Sequence, residues 1–543
     1  MPPIQMLRTP VARAVQRAGP GQARRYLESG FISTRDSTGA TETGSFLTTV
    51  RVGLAPDGGL YVPKGGPPTL TAAEWAALIP LGYQERAVSL LRRWIPAAEV
   101  ADAELASMIS SAYDGFDRCG GAAEQVTPVR HLEGQQYLLE LFRGPTASFK
   151  DAALQLTPRL FAAATAGGDT SFLVLCATSG DTGSAALDGF GKVGVPVMVL
   201  YPVGGVSDIQ KAQMAAMDPA STHVVAVNAD FDFCQTAVKT IFNDGAFAAK
   251  LSERNVGLSA ANSMNWGRLL PQVVYHASAY LDTVASGAVK LGDPVDVTVP
   301  CGNFGNILAA VYAQQMGLPF RKFVVAANEN NVLSDFVDTG VYDLRKRSLS
   351  LTSSPSIDIL TSSNLERMLY TLADGDSAEV AGYFESLATD RHFEVSDSVN
   401  ERLTELMVGG WCSEEQCQAT IKDVFERTGY ILDPHTAVAK FVADKHTDEA
   451  VPMIISSTAH YGKFGDDVLR ALDPSNAERL LAGELKEPVD LLRHLGTLSA
   501  DSPPVHSSLV EVATAEPKHK EVVDADLGLI KASLEAFLTR AGL

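Results

Sequence analysis

From residue 171 onward, the chain alternates short apolar runs with amphipathic stretches. Residues 172–177 (FLVLCA) form an apolar run of strand length, followed by a glycine-rich turn, a helical stretch and a second apolar run at 197–200. Similar apolar runs occupy 295–299, 323–327 and 453–456, and a helical stretch occupies 307–315. Continuous apolar strands that alternate with helices are typical of parallel sheets covered on both faces. The pattern therefore predicts an α/β fold.

The remaining segments differ from this pattern. Residues 72–118 read as helices, and residues 330–430 mix Ser/Thr-rich turns with helical stretches such as 400–407. Near the end, Ser502-Pro503-Pro504 is interpreted as a linker before a last amphipathic helix whose apolar face carries Leu527, Ile530, Leu534, Phe537 and Leu538. We therefore expect a basic extension at 1–25, an N-terminal domain at 26–125, a core of two α/β lobes at 126–485 with a mainly helical insertion at about 330–430, and a C-terminal extension at 486–543.

Composition and charge narrow the range of partners. The chain has 543 residues, of which 46% are hydrophobic and 20% charged, as in ordinary globular proteins. It carries 44 basic and 64 acidic residues, a formal net charge of −20, which disfavours nucleic acid as a partner. We find no apolar run of about 18 residues, so no membrane-spanning helix is predicted. The six cysteines lack metal-binding spacing, so no metal site is predicted, and Cys176 and Cys301 are interpreted as buried packing residues.

The first residues have a charge opposite to that of the rest of the chain. Residues 1–27 contain five arginines and no acidic residue, and Glu28 is the first carboxylate. The segment is also rich in proline and lacks serine, which is unusual for a transit peptide. We expect a disordered extension and a cytoplasmic protein, with mitochondrial targeting by residues 1–25 as the alternative.

A lysine beside an apolar segment is the first candidate for chemistry. Lys150 follows Phe149 and precedes an apolar helical stretch. Partial desolvation disfavours the charged form of a lysine, so its pKa falls and its amine can attack carbonyl groups. A surface lysine at the start of a helix is the alternative interpretation.

Two glycine-rich turns each connect a predicted strand to a predicted helix. They are residues 177–183 (ATSGDTG) and 301–306 (CGNFGN). Backbone amides at the start of a helix bind carboxylate or phosphate groups. Neither turn matches the GxxxxGKS/T or GxGxxG pattern, so the rules for nucleotide binding do not apply to them.

Two further polar segments lie next to apolar runs. In residues 262–268 (NSMNWGR), Arg268 can clamp a phosphate with two hydrogen bonds, although a helix cap explains the spacing equally well. Residues 456–463 (SSTAHYGK) place hydroxyl groups, His460 and Lys463 at a strand end. The chain has no GxSxG turn, so a serine-hydrolase triad is not supported, and His460 is interpreted as structural.

Taken together, these segments resemble the pyridoxal-phosphate-dependent threonine synthases, in the long form of fungi and bacteria. The blocks that carry the resemblance are ELFRGPTASFKDAALQ from residue 140, ATSGDTGSAA from 177, NSMNWGRLLPQ from 262, PCGNFGNILA from 300 and STAHYGKFGDDV from 457. Ser33-Thr34-Arg35 with GLAPDGGLYVP at 53–63, and SIDILTSSNLER at 356–367, fit the same family. The resemblance covers roughly residues 26–475.

The resemblance implies a fold type II pyridoxal-phosphate enzyme, similar to the tryptophan synthase β subunit, with roles for particular residues. Lys150 is then the catalytic lysine that binds pyridoxal 5'-phosphate covalently, and Thr458 faces the pyridine nitrogen. The backbone amides that hold the cofactor phosphate belong to Gly302, Asn303, Phe304, Gly305 and Asn306. The substrate α-carboxylate is bound by Ser179, Gly180, Asp181 and Thr182, and the substrate phosphate by Asn262, Ser263, Asn265 and Arg268.

The implied reaction converts O-phospho-L-homoserine and water to L-threonine and phosphate, the last step of threonine biosynthesis. The expected partner is thus a small phosphorylated amino acid, bound by a monomer or homodimer. Two segments depart from the family: residues 147–150 read ASFK where LAFK is common, and residues 460–465 read HYGKFG where HPAKFA is usual. These departures leave open a related lyase that releases 2-oxobutyrate. A cofactor-binding protein with little turnover is a further alternative, although Lys150 and the GNFGN turn argue against it.

Overall fold

A computed structural model describes residues 30–116, 119 and 125–543. The predicted extension at 1–25 lies outside these residues. The strands are β1 (Phe31–Ser33), β2 (Tyr61–Pro63), β3 (Val129–Glu133), β4 (Gln136–Glu140), β5 (Ser171–Ala177), β6 (Val197–Pro202), β7 (Thr222–Asn228), β8 (Val256–Ala260), β9 (Val295–Pro300), β10 (Phe320–Ala327), β11 (Val341–Asp343), β12 (His392–Glu394), β13 (Met407–Trp411), β14 (Met453–Ser457) and β15 (Glu521–Asp524).

Helices surround these strands on both faces. The first half of the chain contains α1 (Phe46–Val52), α2 (Ala72–Leu78), α3 (Tyr83–Leu91), α4 (Asp102–Tyr113), α5 (Lys150–Leu154), α6 (Thr157–Thr165), α7 (Asp181–Lys192), α8 (Asp208–Ala215), α9 (Phe231–Asn243), α10 (Gly245–Ser252) and α11 (Trp266–Ala285). The second half contains α12 (Gly305–Gln315), α13 (Val332–Thr339), α14 (Leu365–Leu372), α15 (Ser377–Asp390), α16 (Asp397–Leu406), α17 (Glu414–Thr428), α18 (Pro434–His446), α19 (Gly465–Leu472), α20 (Ala477–Ala482), α21 (Pro488–Thr497), α22 (Ser507–Thr514) and α23 (Leu527–Arg540). Short 3-10 helices occupy Pro355–Ile357 and Tyr461–Phe464. Among the described residues, none of these helices has both the length and the apolarity of a membrane span.

Two sheets form the centre of the molecule. The large sheet has the strand order β13-β10-β9-β14-β4-β3 and is parallel except for the hairpin of β3 and β4. The small sheet has the order β15-β7-β6-β5-β8 and is parallel throughout. The five apolar runs predicted as strands coincide with β5, β6, β9, β10 and β14. The prediction of an α/β fold with parallel sheets is therefore confirmed.

The N-terminal helices share the hydrophobic core of the sheets. Trp94 packs against Trp266 and Tyr312, with ring centroids 5.6 and 6.3 Å apart, and Phe31 contacts Trp266 at 5.6 Å. Trp266 begins α11, the long helix that runs through the centre of this core and is almost entirely buried. Burial of these rings contributes about 2 kcal/mol or more each, so the N-terminal part fixes the start of α11.

Helix α11 contains a proline that the surrounding structure accommodates. Pro271 lacks the N–H that would bond to the carbonyl of Gly267. The hydroxyl of Thr157 donates to that carbonyl instead, at 2.7 Å. The helix can therefore continue through Pro271 while its first turns face the strand ends.

The C-terminal segment contributes more structure than its sequence indicates. β15 pairs in parallel with β7 and extends the small sheet. The last helix, α23, is confirmed, and it buries Ile530, Leu534, Phe537 and Leu538 against that sheet. The predicted linker is not a free connection, because Pro503 and Pro504 accept hydrogen bonds from Tyr461 and His460.

The cysteines are all free and buried, including Cys119 at the edge of the described region. Cys176 and Cys301 are the packing residues that the sequence predicts, with 1% and 4% of their surface exposed. Burial raises the pKa of Cys176 to about 12 and raises that of Cys301 further. Neither thiol is prepared to act as a nucleophile.

Candidate active site

The predicted site residues come together where the carboxyl ends of the two sheets face each other. Lys150 follows β4 of the large sheet, and Asp181 follows β5 of the small sheet. Their side chains meet, with Lys150 Nζ 3.3 Å from Asp181 Oδ2. Strand ends β8, β9 and β14 bring the other three blocks to the same place. The cleft between the sheets is therefore the candidate active site, as expected for open parallel sheets.

Backbone hydrogen bonds fix the segment that carries Lys150. The amide of Phe149 donates to the carbonyl of Thr458 at 2.8 Å, and the amide of His460 donates to that of Ala147 at 3.1 Å. Ala147 has a φ of 60°, a left-handed conformation at which the chain turns into α5. The Asp151 carboxylate accepts from the backbone and hydroxyl of Thr146 and closes this turn. Lys150 and Thr458 are thus held next to each other.

Lys150 is buried, with 9% of its surface exposed. Its Nζ lies 3.2 Å from Ser356 Oγ and 4.8 Å from the centre of the Phe149 ring. Burial lowers the pKa of Lys150, Asp181 opposes this effect, and the positive charges of Lys463 and Arg268 add to it. The amine is therefore more easily deprotonated than that of an exposed lysine, as the sequence predicts.

Asp181 forms hydrogen bonds through both oxygens of its carboxylate. Oδ2 faces Lys150 and accepts from Ser356 Oγ at 3.1 Å. Oδ1 lies 2.7 Å from Lys463 Nζ and accepts from Gln210 Nε2 at 2.9 Å. Burial by itself would raise the pKa of Asp181, but the two lysines outweigh it and hold the pKa well below the usual range. We call Lys150, Asp181, Gln210, Ser356 and Lys463 the carboxylate cluster.

Lys463 belongs to the 3-10 helix that follows β14, and 1% of its surface is exposed. Besides Asp181, its ammonium group donates to the carbonyl of Thr146 at 2.9 Å. Lys463 thus connects the end of the large sheet to the start of α7 in the small lobe and to the turn before Lys150. Breaking a buried ion pair of this kind by removing one partner leaves an uncompensated charge.

Ser356 is held in place by a buried histidine. Its backbone amide donates to His435 Nε2 at 3.0 Å, and His435 Nδ1 lies 2.9 Å from Asp433 Oδ1. Because Nε2 accepts here, Nδ1 carries the ring N–H and donates a hydrogen bond to Asp433. The Ser356 hydroxyl is thereby fixed between Lys150 and Asp181.

The turn after β5 begins helix α7. The Thr178 hydroxyl accepts from the amides of Gly180 and Gly183, both at 2.9 Å. Gly180 has a φ of 129°, and a β-carbon there would collide with the Gln210 side chain. Ser179 and Thr182 are half-buried beside Asp181. Asp181 itself faces the lysines, so this turn presents hydroxyls and backbone, and not a bare carboxylate, to a substrate.

The turn after β9 contains the other five predicted cofactor residues. Phe304 has a φ of 64° and brings the chain into α12, which begins at Gly305. The carbonyls of Gly302 and Asn303 accept from the side chains of Ser362 and Asn364, at 2.8 and 3.1 Å. A β-carbon on Gly302 would lie 2.9 Å from the backbone of Ser356, so this position requires glycine. The turn is buried except at Asn303.

One face of α11 lies against this turn. Arg268, Gln272 and His276 follow one another at intervals of four residues and therefore share a side of the helix. His276 Nε2 donates to Asn306 Oδ1 at 2.8 Å, which orients the Asn306 amide so that its Nδ2 points away from His276. Arg268 is 4% exposed and donates to the carbonyl of Ala261. Burial lowers the pKa of Arg268 to about 10.

Three buried polar atoms of these residues have no hydrogen-bond partner within the described residues. They are Arg268 Nε, Asn306 Nδ2 and His276 Nδ1. Unpaired buried donors are costly, and each such group calls for an explanation. His276 Nδ1 is an acceptor, because Nε2 carries the ring N–H, so the unpaired donors are Arg268 Nε and Asn306 Nδ2. We call Arg268, Asn306 and the His276 that orients Asn306 the donor cluster.

The other residues predicted to bind the substrate phosphate are not all directed toward the cleft. Asn262 is exposed, and Ser263 accepts from Asn364 Nδ2 at 3.2 Å. Asn265 caps α11 by accepting from Gly267 N at 2.8 Å, and its amide donates to the carbonyl of Val50 at 2.7 Å. Both ends of the Asn265 side chain therefore have partners inside the protein, as in the alternative interpretation of this segment as a helix cap.

The departures at Tyr461, Gly462 and Gly465 lie against the C-terminal segment. Tyr461 donates to the carbonyl of Pro503 at 3.1 Å. Added β-carbons on Gly462 and Gly465 would lie 2.6 and 3.0 Å from leucines of α21. Alanine at these two positions would crowd α21, so the unusual residues are explained by the docking of the C-terminal segment.

Sequence reasoning assigned no role to several residues that organise the site. Ser356, Ser362 and Asn364 lie in the segment 356–367, which was recognised only as part of the resemblance. His435 stands in a part of the chain without any signal of chemistry. Lys463 had one available signal, a lysine at a strand end in a hydroxyl-rich segment, but only the structure shows that it is buried.

The residues present fit pyridoxal phosphate. A buried lysine with a lowered pKa is available for covalent attachment. The glycine turn after β9 begins helix α12, and in the sheet only β14 separates β9 from β4, the strand before Lys150. The unpartnered donors Arg268 Nε and Asn306 Nδ2 are chemically suited to phosphate oxygens.

Comparisons with known proteins identify the family of this chain. Three family models match the chain: "Threonine synthase N terminus" over residues 30–113, "Pyridoxal-phosphate dependent enzyme" over 122–453 and "Threonine synthase, C-terminal" over 436–533. Threonine synthase-like 1 of Homo sapiens is 47% identical over 93% of this chain and 68% of that protein. Threonine synthase of Saccharomyces cerevisiae is 35% identical over 94% of this chain and 99% of that protein.

Solved structures show the same similarity. The pyridoxal-phosphate-bound threonine synthase of Brucella melitensis matches with a TM-score of 0.81 and 32% identity over 94% of this chain and 99% of that one. Yeast threonine synthase matches with a TM-score of 0.80 and 34% identity over 95% and 99%. The chain therefore belongs to the threonine synthase family of pyridoxal-phosphate-dependent enzymes, lyases that act on a phosphate ester.

Proposed function

We propose that this protein converts O-phospho-L-homoserine and water to L-threonine and phosphate, with Lys150 as the catalytic lysine. The observation that carries the proposal is the asymmetry around Lys150. On one side the carboxylate cluster is fully hydrogen-bonded, and on the other the donor cluster has buried polar atoms without partners in the described structure. Such a site suits a substrate that brings its own anions.

When bound, pyridoxal phosphate supplies an electron sink for the negative charge that develops on the substrate carbon atoms. In the proposal, the amides of residues 302–306 hold its phosphate at the start of α12, with Asn306 Nδ2 as an additional donor. Thr458 lies next to the Lys150 segment, and its neutral hydroxyl would serve as the partner of the ring nitrogen. Lys150 provides the covalent attachment.

Lys150 then acts as the acid and base of the reaction. Once the substrate amino group has taken its place, the free amine can remove the proton from Cα and later one from Cβ. The lowered pKa of Lys150 supports this role, because a base must be largely deprotonated at the pH at which it works. Ser356 Oγ and Asp181 limit where Nζ can move.

The phosphate group leaves from Cγ on the side of the donor cluster. Arg268 is the residue best suited to bind it, since its buried guanidinium keeps an unpartnered Nε. A charge-assisted hydrogen bond stabilises the leaving phosphate more than a neutral one would. Water is added at Cβ, and return of a proton to Cα completes threonine. Ser179 and Thr182 are proposed to bind the substrate carboxylate through their hydroxyls and backbone.

A second candidate is a lyase that releases 2-oxobutyrate. It is favoured by the higher identity to Threonine synthase-like 1 of human and mouse, at 47% and 45%, than to yeast threonine synthase at 35%. In this reaction phosphate leaves from Cγ as before, no hydroxyl is added at Cβ, and hydrolysis yields 2-oxobutyrate and ammonia. The substrate and the residues involved would be the same.

A single incubation separates the two candidates. The holoenzyme is mixed with O-phospho-L-homoserine, and threonine, 2-oxobutyrate and phosphate are quantified in the same sample. Equal amounts of threonine and phosphate support the first proposal. Phosphate with 2-oxobutyrate and no threonine replaces it with the second, and absence of phosphate release contradicts both.

A further inference from the structure

The carboxylate cluster contains two lysines on one aspartate. Asp181 Oδ2 faces Lys150, and Asp181 Oδ1 faces Lys463 at 2.7 Å. The two lysines come from different segments of the chain, the start of α5 and the 3-10 helix after β14. The proposed reaction gives Lys150 a role, as the catalytic lysine, but it gives none to Lys463. The position of Lys463 therefore needs a separate explanation.

A cofactor lysine beside an unbalanced carboxylate would be at a disadvantage. A negative charge within about 4–6 Å favours the protonated form of an amine, which can neither attach to a carbonyl nor remove a proton. The Ser356 hydroxyl cannot correct this, because it is neutral. A second cation on the other oxygen of Asp181 can, since it offsets the negative charge without touching Lys150.

We infer that Lys463 is a positioning residue that balances the Asp181 carboxylate and turns one of its oxygens toward Lys150, so that Lys150 can exist as a neutral amine. The inference rests on the proposed function only in taking Lys150 as the lysine that binds the cofactor. Lys463 is suited to this role because its ammonium is completely buried and its remaining contact, the carbonyl of Thr146, is neutral.

Other charged groups near Lys150 do not provide this balance. Arg268 approaches from α11 and affects the Lys150 pKa, but its guanidinium bonds to the carbonyl of Ala261 and not to Asp181. His435 on α18 affects the Asp181 pKa, but its two ring nitrogens contact Ser356 N and Asp433. In the described structure, Lys463 is the cation that shares Asp181 with Lys150.

The test is a double-mutant cycle on Lys463 and Asp181, in which the pH dependence of each variant is measured. In each holoenzyme we would record the pH midpoint of the change in visible absorption and the acid limb of kcat/KM. Lys463→Met should move these midpoints upward by about one unit or more, because the Asp181 charge then acts on Lys150 alone. Asp181→Asn should move them downward, since Lys463 then acts on Lys150 without the carboxylate.

The double variant Lys463→Met with Asp181→Asn removes both charges and should return the midpoints toward those of the wild-type protein. This variant also buries no unpaired charge, so it keeps the test valid if Lys463→Met alone fails to fold. Lys463→Arg keeps the positive charge, so its midpoints should equal those of the wild-type protein. A purely structural role for Lys463 would not produce shifts of opposite sign in the two single variants.

Lys440 provides a matched control. It is also 1% exposed and pairs with Glu133 of β3 and Asp444 of α18, away from the cleft. Lys440→Met should leave both midpoints unchanged. Midpoints that do not move in Lys463→Met, or that move equally in Lys440→Met, would overturn the inference. Failure of Lys150 to be labelled by borohydride reduction of the holoenzyme would instead overturn the proposed function.

Discussion

The two sides of Lys150 are built in opposite ways. In the carboxylate cluster, each oxygen of Asp181 has two partners, and the carboxylate lies between the amino groups of two lysines. In the donor cluster, Arg268 and Asn306 are also buried, but each retains a hydrogen-bond donor without a partner in the described chain. The first side is complete within the protein, whereas the second is complete only with an anion.

This difference separates stability from function. Fully paired buried charges can be arranged before any ligand arrives, and they fix the reactive amine in one position. Unpaired buried donors reduce the stability of the free protein, and their cost is recovered when a phosphate or carboxylate binds. A net charge of −20 does not argue against a small phosphorylated ligand, because the buried Arg268 and Asn306 donors make the cleft locally favourable to an anion.

The strongest test of the carboxylate cluster is the removal of its reactive member. Lys150→Ala should lower phosphate release from O-phospho-L-homoserine by at least about 1,000-fold, because both covalent attachment and proton transfer are lost. Asp181 keeps Lys463 as a partner, so the variant should fold. Phosphate release and circular dichroism measure the two effects.

The control for this prediction is Lys440→Ala, which removes a buried lysine outside the cleft. It should keep its turnover, although its stability falls. If Lys150→Ala retained a tenth or more of wild-type turnover, the assignment of Lys150 as the catalytic lysine would be wrong.

The donor cluster makes the next largest prediction. Arg268→Met should raise KM for O-phospho-L-homoserine about 100-fold, since a charge-assisted hydrogen bond to phosphate is lost. The free protein should be no less stable, because a buried cation without a counter-charge is replaced by an apolar side chain of similar size. Steady-state kinetics and thermal unfolding of the cofactor-free protein check the two parts.

Arg268→Lys is the matched variant for this site. It keeps the positive charge but lacks the planar fork that pairs with phosphate oxygens, so its KM should lie between those of the wild-type protein and Arg268→Met. A large loss of stability in Arg268→Met would show that Arg268 is part of the fold, as Asn265 is.

Much of this molecule could be predicted from the sequence, and the limits have physical causes. The strands that were predicted are those buried on both faces, such as β9 (VDVTVP), in which every residue is buried. β13 (MVGGW) and β15 (EVVD) were missed. The glycines of β13 lie close to Ser334 and Val442, and β15 is a short, exposed edge strand. The pattern of hydrophobic residues indicates which segments are buried. β13 and β15 are strands because their backbones pair with β10 and β7, and a hydrophobic pattern does not show such pairing.

The same limit applies to the site. Lys150 and the two glycine turns were visible because local sequence determines a strand-to-helix turn. Lys463, Ser356 and His435 act through contacts between residues more than 100 positions apart or from separate segments, and only the folded chain shows these contacts. For Asn265, the local sequence allowed two roles, binding of the substrate phosphate or capping of a helix. The hydrogen bond from its amide to the carbonyl of Val50 supports the role as a helix cap.

A smaller effect is expected from the residue that orients the donor cluster. His276→Phe should weaken the binding of pyridoxal phosphate about 10-fold, because Asn306 loses the hydrogen bond that directs its Nδ2. The residue is not in contact with Lys150, so the kcat of the fully loaded enzyme should change little. Cofactor titration followed by visible absorption measures the affinity, and Asn306→Ala should show a loss of similar size. An unchanged affinity in both variants would remove Asn306 from the phosphate site.

The smallest effect concerns stability in acid. Burial lowers the pKa of His276 to about 4, below the value of 6.5 for an exposed histidine. Above pH 6.5 the ring is neutral in both the folded and the unfolded protein. As the pH falls from 6.5 toward 4, the unfolded state takes up the proton first, so stability is lost over that window. Between pH 6.5 and 5.5 the loss should be about 1 kcal/mol for this one residue.

Denaturant unfolding at these two pH values measures the loss, and His276→Gln should reduce it, since glutamine does not titrate. His131→Gln is the control, because it makes the same substitution at an exposed histidine. Removing His276 also tests whether the donor cluster adds little to the stability of the free protein. Its Nδ1 has no partner in the described structure, so at pH 8 the variant gives up only the bonds to Asn306. If His276→Gln kept the full acid dependence, the proton uptake would have to occur elsewhere, and His460, whose pKa burial also lowers, would be the next residue to replace.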